Sequence, residues 1–333
     1  MTEATANTQR IPDRLESPLK AAILSWPALL LLVVVGLFIL NSLLSPYFLS
    51  AWSISDMTFT FTEKAIIALA MALLIISGEI DLSVASIMAL ASTMMGIALQ
   101  YGLGTPGLVL VGIGTGLICG AFNGFLVTRL GLPSIVVTIG TMSFFRGISY
   151  IVLGDQAFKG YPDSLDFFGQ GYVFWVVSFE FVLFLICAAA YYVLLHRTNF
   201  GRHIFVIGNN PVAARFSGIR VERVKFILFC LTGLMSGVAG VLLTSRLAST
   251  RPSIAFGWEL EVVTIVVLGG VSILGGAGSI LGVVLAAFIM GLVTFGLGLL
   301  NVPGIVMSIF IGALLIFVIA LPIAFRMIRE RRA

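Results

Sequence analysis

Charge is what this sequence has least of. Asp, Glu, Lys and Arg together make up 10% of its 333 residues, where a soluble domain carries about a quarter. So few charges cannot cover the water-facing surface of a chain this long, which excludes an ordinary soluble globular protein. Histidine is reduced to His196 and His203, too isolated to suggest a metal site, and cysteine to Cys119, Cys187 and Cys230. The cysteines lie inside apolar runs without metal-ligand spacing, so they read as small buried hydrophobes rather than a disulfide framework. No Gly-Lys pair occurs anywhere, and the glycine-rich run 269–278 lacks the Lys-Ser/Thr of a phosphate-binding loop. The G-x-G-x-x-G pattern at 102–107 joins two apolar runs instead of opening a strand–turn–helix. No nucleophile–base pair or metal cluster emerges, so the sequence nominates no catalytic residue, no metal ligand and no cofactor of its own.

What is present is hydrophobicity, at 59% of residues and a mean hydropathy of +1.12. Apolar runs at 21–44, 57–77, 82–101, 106–128, 133–153, 173–195, 224–245, 259–275, 279–299 and 303–325 predict an all-α polytopic membrane protein with about ten transmembrane helices. The first run is too long for a signal-peptide core and reads as a retained span. The net charge of +4 does not form a basic face for nucleic acid. The basic residues collect in the tails and in loop 196–223, which holds Arg197, Arg202, Arg215, Arg220 and Arg223. Loop 154–172 carries Asp155, Asp163 and Asp166 against Lys159. Under the positive-inside rule, the tails 1–20 and 326–333 and loop 196–223 are then cytoplasmic, flanking or interrupting a transmembrane region at 21–325.

Four features carry mechanism. Gly112, Gly116, Gly120 and Gly124 recur every fourth residue and predict a bare helix face for close packing. A shift of about 170 residues superposes Gly112 on Gly282, Gly116 on Ala286 and the Gly-Leu-Pro at 131–133 on the Asn-Val-Pro at 301–303. With five crossings per copy this would be an inverted repeat, against chance likeness of glycine-rich runs. The segment Ser77 to Ser83 sets Glu79, Asp81 and Ser83 between two apolar runs, either as a helix cap or as a break beside a pathway. Further pathway candidates are Asn123, Thr138, Thr141, Phe144 and, foremost, Arg146, with half of a buried Arg–Glu pair as its second reading. In loop 196–223, Asn210 suits an N-cap, Pro211 the first helical position and Gly218 the C′ position, which predicts a short cytoplasmic helix. A helix that short needs a support, either the membrane surface or a cytoplasmic partner.

Three stretches, Gly78 to Ser83, Gly201-Arg202 through Gly208, Asn209, Asn210, Ala213 and Ala214 to Gly218, and Gly275 to Gly282, resemble the ribose-type permeases. These are the membrane subunits of bacterial ATP-binding-cassette (ABC) importers for ribose, xylose, galactose, rhamnose and autoinducer 2. The resemblance runs over about residues 20–325. It implies a second permease copy, identical or not, a cytoplasmic ATPase holding ATP and Mg, and a periplasmic sugar-binding protein. It also implies an inner-membrane location within lipid and import of a monosaccharide, rhamnose being the first expectation. The ATPase would meet the loop bearing Gly201, Arg202, Gly208, Asn209, Asn210, Pro211, Ala213, Ala214, Arg215, Phe216 and Gly218. Glu79 and Asn209 stand where the family usually has glycine. A proton- or cation-coupled secondary transporter using Glu79, Asp81 or Glu261 is the rival reading.

Overall fold

The computed structural model describes residues 25–154, 156–313 and 316. The chain runs α1 Trp26–Leu44, α2 Ala51–Ile76, α3 Val84–Gln100, α4 Thr105–Arg129 and α5 Ser134–Leu153. A stretch of short elements follows with β1 Phe158–Lys159, α6 Asp163–Gln170, β2 Tyr172–Phe174 and β3 Val177–Ser178. Then come α7 Phe179–Arg197, α8 Asn199–Asn209, α9 Pro211–Phe216, α10 Val221–Leu247, β4 Ser249–Thr250, α11 Trp258–Leu268, α12 Ile280–Leu299 and α13 Gly304–Ala313. The strands form two short antiparallel ladders, β1 with β4 and β2 with β3. The tails expected at 1–20 and 326–333 lie outside the described residues.

The protein is an all-α polytopic membrane protein, and seven of the ten expected runs appear as helices of full membrane length. Among the described residues, seven helices are long and apolar enough to cross a bilayer: α1, α2, α4, α5, α7, α10 and α12. Three other apolar runs form shorter helices. α3 has 17 residues and α11 only 11; α13 covers the described part of the last run. The eighth run, expected to continue to 275, stops at Leu268 because Gly270 turns the chain with φ +83. The sixth run opens as a hairpin, β2 and β3, before Ser178 caps α7 by accepting from Phe181 N–H.

α2 is the axis of the bundle. Every residue from Ala65 to Ile76 is fully buried, as expected of a helix that is apolar all round. It packs on α7, α10, α11 and α12. α10 packs in turn on α3, α4 and α6, and α5 lies against α3 and α4. α1 covers α12 from outside, its Trp26 Nε1 donating to Leu268 O at 2.9 Å.

The tightest crossing is α4 on α10. A Cβ placed on Gly116 would lie 2.7 Å from Gly237 N, and one on Gly233 would lie 2.6 Å from Gly120 Cα. Gly124 meets Phe229, and Gly112 meets Val241 and Met95. The two middle glycines of α4, Gly116 and Gly120, therefore face Gly233 and Gly237 on α10, while Gly240 of α10 turns to Met88 and Ala91 of α3. Gly116→Val should lower the melting temperature in detergent, since overpacking a close crossing costs about 1–3 kcal/mol. Gly114→Val, on the same helix but with nothing within 4 Å of its added Cβ, is the control, and equal melting of the two variants would refute the backbone contact.

Candidate functional site

The break after α2 is built from its own backbone. Gly78 has φ +86, its N–H donates to Ile75 O and Glu79 N–H donates to Leu74 O, the paired bonds of a Schellman ending. The chain then places Asp81 at full burial. Asp81 Oδ1 accepts from Ser83 N–H at 2.8 Å and from Ser83 Oγ at 2.6 Å, so it fixes the turn that leads into α3. Asn123 Nδ2 of α4 donates to Ser83 Oγ at 2.8 Å. From α5, Ser134 Oγ accepts from Ile80 N–H and Thr138 Oγ1 donates weakly to Ile80 O. Glu79 is ion-paired with Lys225 of α10. Five of the nominated residues, Glu79, Asp81, Ser83, Asn123 and Thr138, thus share one place.

The other three do not join them. Thr141 Oγ1 donates back to Thr138 O, and Phe144 is exposed and stacks on Phe145. Arg146 Nη1 donates to Pro252 O and Ile254 O, both at 2.7 Å, and its guanidinium lies 5.9 Å from the Phe256 ring centre. Arg146 therefore clamps the loop between β4 and α11, and the buried Arg–Glu pair expected of it is made elsewhere. Glu63, fully buried on α2, meets Arg246 of α10 at 2.8 Å, and Lys64 meets Glu261 at 2.6 Å.

Loop 196–223 folds as α8 and α9. Thr198 caps α8 by accepting from Gly201 N–H. Asn210 Oδ1 accepts from Val212 and Ala213 N–H at 3.0 Å, with Pro211 at the first helical position. At the far end Gly218 (φ +81) N–H donates to Arg215 O and Ile219 N–H to Ala214 O. The ends of this short helix are therefore saturated by its own sequence. Ala214 is buried, while Val212, Arg215 and Phe216 are exposed, Phe216 at 90%. Arg215 is paired with Glu222 at 2.6 Å, a solvent-exposed contact worth about 0–1 kcal/mol. Arg202 donates to Asn199 Oδ1 one turn away on the exposed side of α8.

The three motif stretches meet at one backbone junction. Gly276 N–H donates to Ile76 O at 2.9 Å, at the end of α2. A Cβ on Gly208 would lie 2.5 Å from Gly276 N, and one on Gly275 would lie 3.2 Å from Gly78 Cα. Asn209 Nδ2 donates to Phe205 O at 2.8 Å and to Gly276 O at 3.2 Å. Ile280 N–H donates to His196 Nε2 at 3.4 Å. The loop carrying α8 and α9 is thereby fastened to both interruptions of the bundle, the one after α2 and the one between α11 and α12. A rigid element set against two helix ends can pass movement of the loop to both.

Comparison with known proteins identifies the family. Residues 53–319 match the family model described as branched-chain amino acid transport system / permease component. The chain belongs to this permease family. It is 33% identical over 302 residues to the "Autoinducer 2 import system permease protein LsrD" of Enterobacter sp. (strain 638), covering 89% of this chain and 92% of the relative. The proteins of the same name from Yersinia enterocolitica and Klebsiella pneumoniae are 35% and 33% identical, covering 88% and 89% of this chain and 89% and 91% of theirs. No solved structure matches. The ribose-type ABC importer resemblance is thereby upheld: the chain is a multi-pass permease component of the bacterial inner membrane, a transport subunit rather than an enzyme. Its family works with ATPase and substrate-binding partners.

Sequence reasoning missed the partners more than the residues. Lys225, Ser134 and Arg246 are not legible as site residues in the sequence, because each lies far along the chain from the group it satisfies. A cation or hydroxyl inside an apolar run was the signal available. The Ser83–Asn123 bond gives a direct test of the buried cluster. Ser83→Ala and Asn123→Leu should each destabilise the permease by about 1–3 kcal/mol. In a melting-temperature double-mutant cycle the pair should cost less than the sum, because both remove the same bond; strict additivity would show that the bond contributes nothing.

Proposed function

We propose that this chain is the transmembrane subunit of an ABC importer for autoinducer 2 or a closely related small sugar, moved by alternating access. The observation that carries this reading is the glycine junction that ties α8 and α9 to the ends of both interrupted helix pairs. The rhamnose expectation gives way to autoinducer 2 because the relatives matched over nearly their whole length carry that cargo in their names. In this reading residues 21–325 form the permease region, and both tails and loop 196–223 face the cytoplasm. A cytoplasmic ATPase carrying ATP and Mg docks on α9, a second permease copy completes the pathway, and a periplasmic binding protein delivers the cargo.

The spacing of the elements supports an inverted repeat and, with it, two rocking halves. α2 and α10 begin 170 residues apart, at Ala51 and Val221, and α4 and α12 end at Arg129 and Leu299. α5 and α13 begin at Ser134 and Gly304. At the same spacing, the left-handed residues Gly78 and Gly131 correspond to Ala248 and Asn301. The contacts cross over in the same sense: α10 is held by α3 and α4, and α2 by α11 and α12. Each half thus grips the first helix of the other, as repeats that reorient about a shared interface do.

The carboxylates that a cation-coupled carrier would use are engaged: Glu79 with Lys225, Glu261 with Lys64, and Asp81 with Ser83. The test is uptake of labelled autoinducer 2, ribose and rhamnose by cells with and without this chain. ATP depletion should abolish uptake, and a protonophore with ATP maintained should not. The opposite pattern would overturn the ABC reading. Phe216→Asp should cut uptake at least tenfold with normal membrane expression, because it places a charge on the exposed face of α9. Unchanged uptake would remove α9 from the ATPase contact.

A further inference from the structure

The loop between α10 and α11 borders a half-open cavity of about 370 Å³ that the proposed mechanism leaves unused. That volume lies within the range of small-molecule sites, roughly 300–1,000 Å³. Its polar lining is Arg246, Ser249, Arg251, Ser253 and the indole of Trp258. All come from one stretch of chain, yet the stretch is fixed from several directions. Lys159 and Phe158 pair with Ser249 and Thr250 across β1 and β4. Thr250 Oγ1 lies 2.7 Å from Ser92 Oγ and 2.6 Å from Tyr161 OH. Arg146 holds the carbonyls of Pro252 and Ile254. Ala248 and Ala255 are kept at φ +46 and +55, a conformation that side chains disfavour and that recurs at ligand clamps.

The walls are equally set. Lys64, ion-paired with Glu261, sits 4.5 Å from the centre of the Trp258 ring, steadying the indole. Arg246 rests against Glu63, and a second carboxylate, Glu180, is buried to 1% exposure. Charge then decides the kind of ligand. The Arg246 guanidinium is already matched by Glu63, which leaves Arg251, exposed and with no ion pair among the described residues, as the cavity's free cation. A dianion would find too little positive charge. A neutral molecule rich in hydroxyl groups would find guanidinium and serine partners, and its C–H face would find the indole.

We propose that this cavity is an outer binding site for a small neutral polyol, with Trp258 as the stacking platform and Arg251, Ser253 and Ser249 as its hydrogen-bonding rim. The proposal rests on the importer reading, in which the 248–257 loop faces the periplasm and cargo enters there.

The test uses the whole importer in right-side-out membrane vesicles. Leu247→Cys, at an exposed apolar position of the lining, is labelled from outside with a membrane-impermeant maleimide, with the wild-type chain giving the background from its own cysteines. Ribose, rhamnose or autoinducer 2 is added in turn, and uptake of each is measured in parallel. At least one probe is expected to slow labelling about threefold. Adding Trp258→Ala should remove that protection, and Trp258→Phe should retain it. Arg251→Gln, at an exposed position, should also weaken protection and stands in if the tryptophan variant fails to fold. Failure of the cysteine to label from outside, or protection by none of the probes, overturns the site. Protection by a probe that is never taken up keeps the site and overturns the transport reading instead.

Discussion

The backbone-to-backbone contact that glycine permits is the constraint on which this structure depends. Apolar helices in lipid gain little by leaving it, so their association rests on close packing and on hydrogen bonds between helices. Here α4 and α10 cross with Gly116 and Gly120 set against Gly233 and Gly237. The loop helices approach α2 only because Gly208, Gly275 and Gly276 lack side chains where they pass Ile76 and Gly78. A methyl group at Gly116, Gly120, Gly208, Gly233, Gly237 or Gly275 would meet main-chain atoms, which cannot swing aside, and one at Gly276 would meet the Asn209 side chain that bonds there. The same contacts that hold the bundle together also join it to the loop carrying α8 and α9.

A second requirement follows from the bilayer: helix ends near or within it must satisfy their own carbonyls. α2, α3, α9, α11 and α12 all finish with the same pair of bonds, made by the residue at positive φ and the one after it. Four of these residues are glycine and one is Asn301, a residue type that tolerates the left-handed region. Interrupted helices are thus self-contained, which lets α3 and α11 end short of membrane length. The polar side chains left at the breaks are then free to bind one another, as Asp81, Ser83 and Asn123 do.

Buried charge is handled by pairing across the bundle. Glu63 with Arg246, Lys64 with Glu261 and Glu79 with Lys225 each join α2, or the turn after it, to α10 or α11. In the repeat reading these are contacts between the two halves. Removing one member would strand its partner in a place of low polarity, so the pairs fix the register of the halves even where they add little net stability.

The sequence by itself determined the class of protein, the position of its apolar runs and the local geometry of α9. Hydrophobicity, the cap at Asn210, the proline at 211 and the glycine at 218 act over a few neighbouring residues, so a linear reading suffices for them. Span lengths were less legible: the run at 259–275 reads as one apolar segment, and only the turn at Gly270 shows that it is broken. Distance between groups far apart in the chain was not legible at all. Asn123 and Arg146 look alike as polar residues within apolar runs. The tertiary structure sends one to the break after α2 and the other to the clamp on the 248–257 loop. Burial and partnership depend on which helix faces compete for the same space, and that is settled only when the glycine rows choose each other.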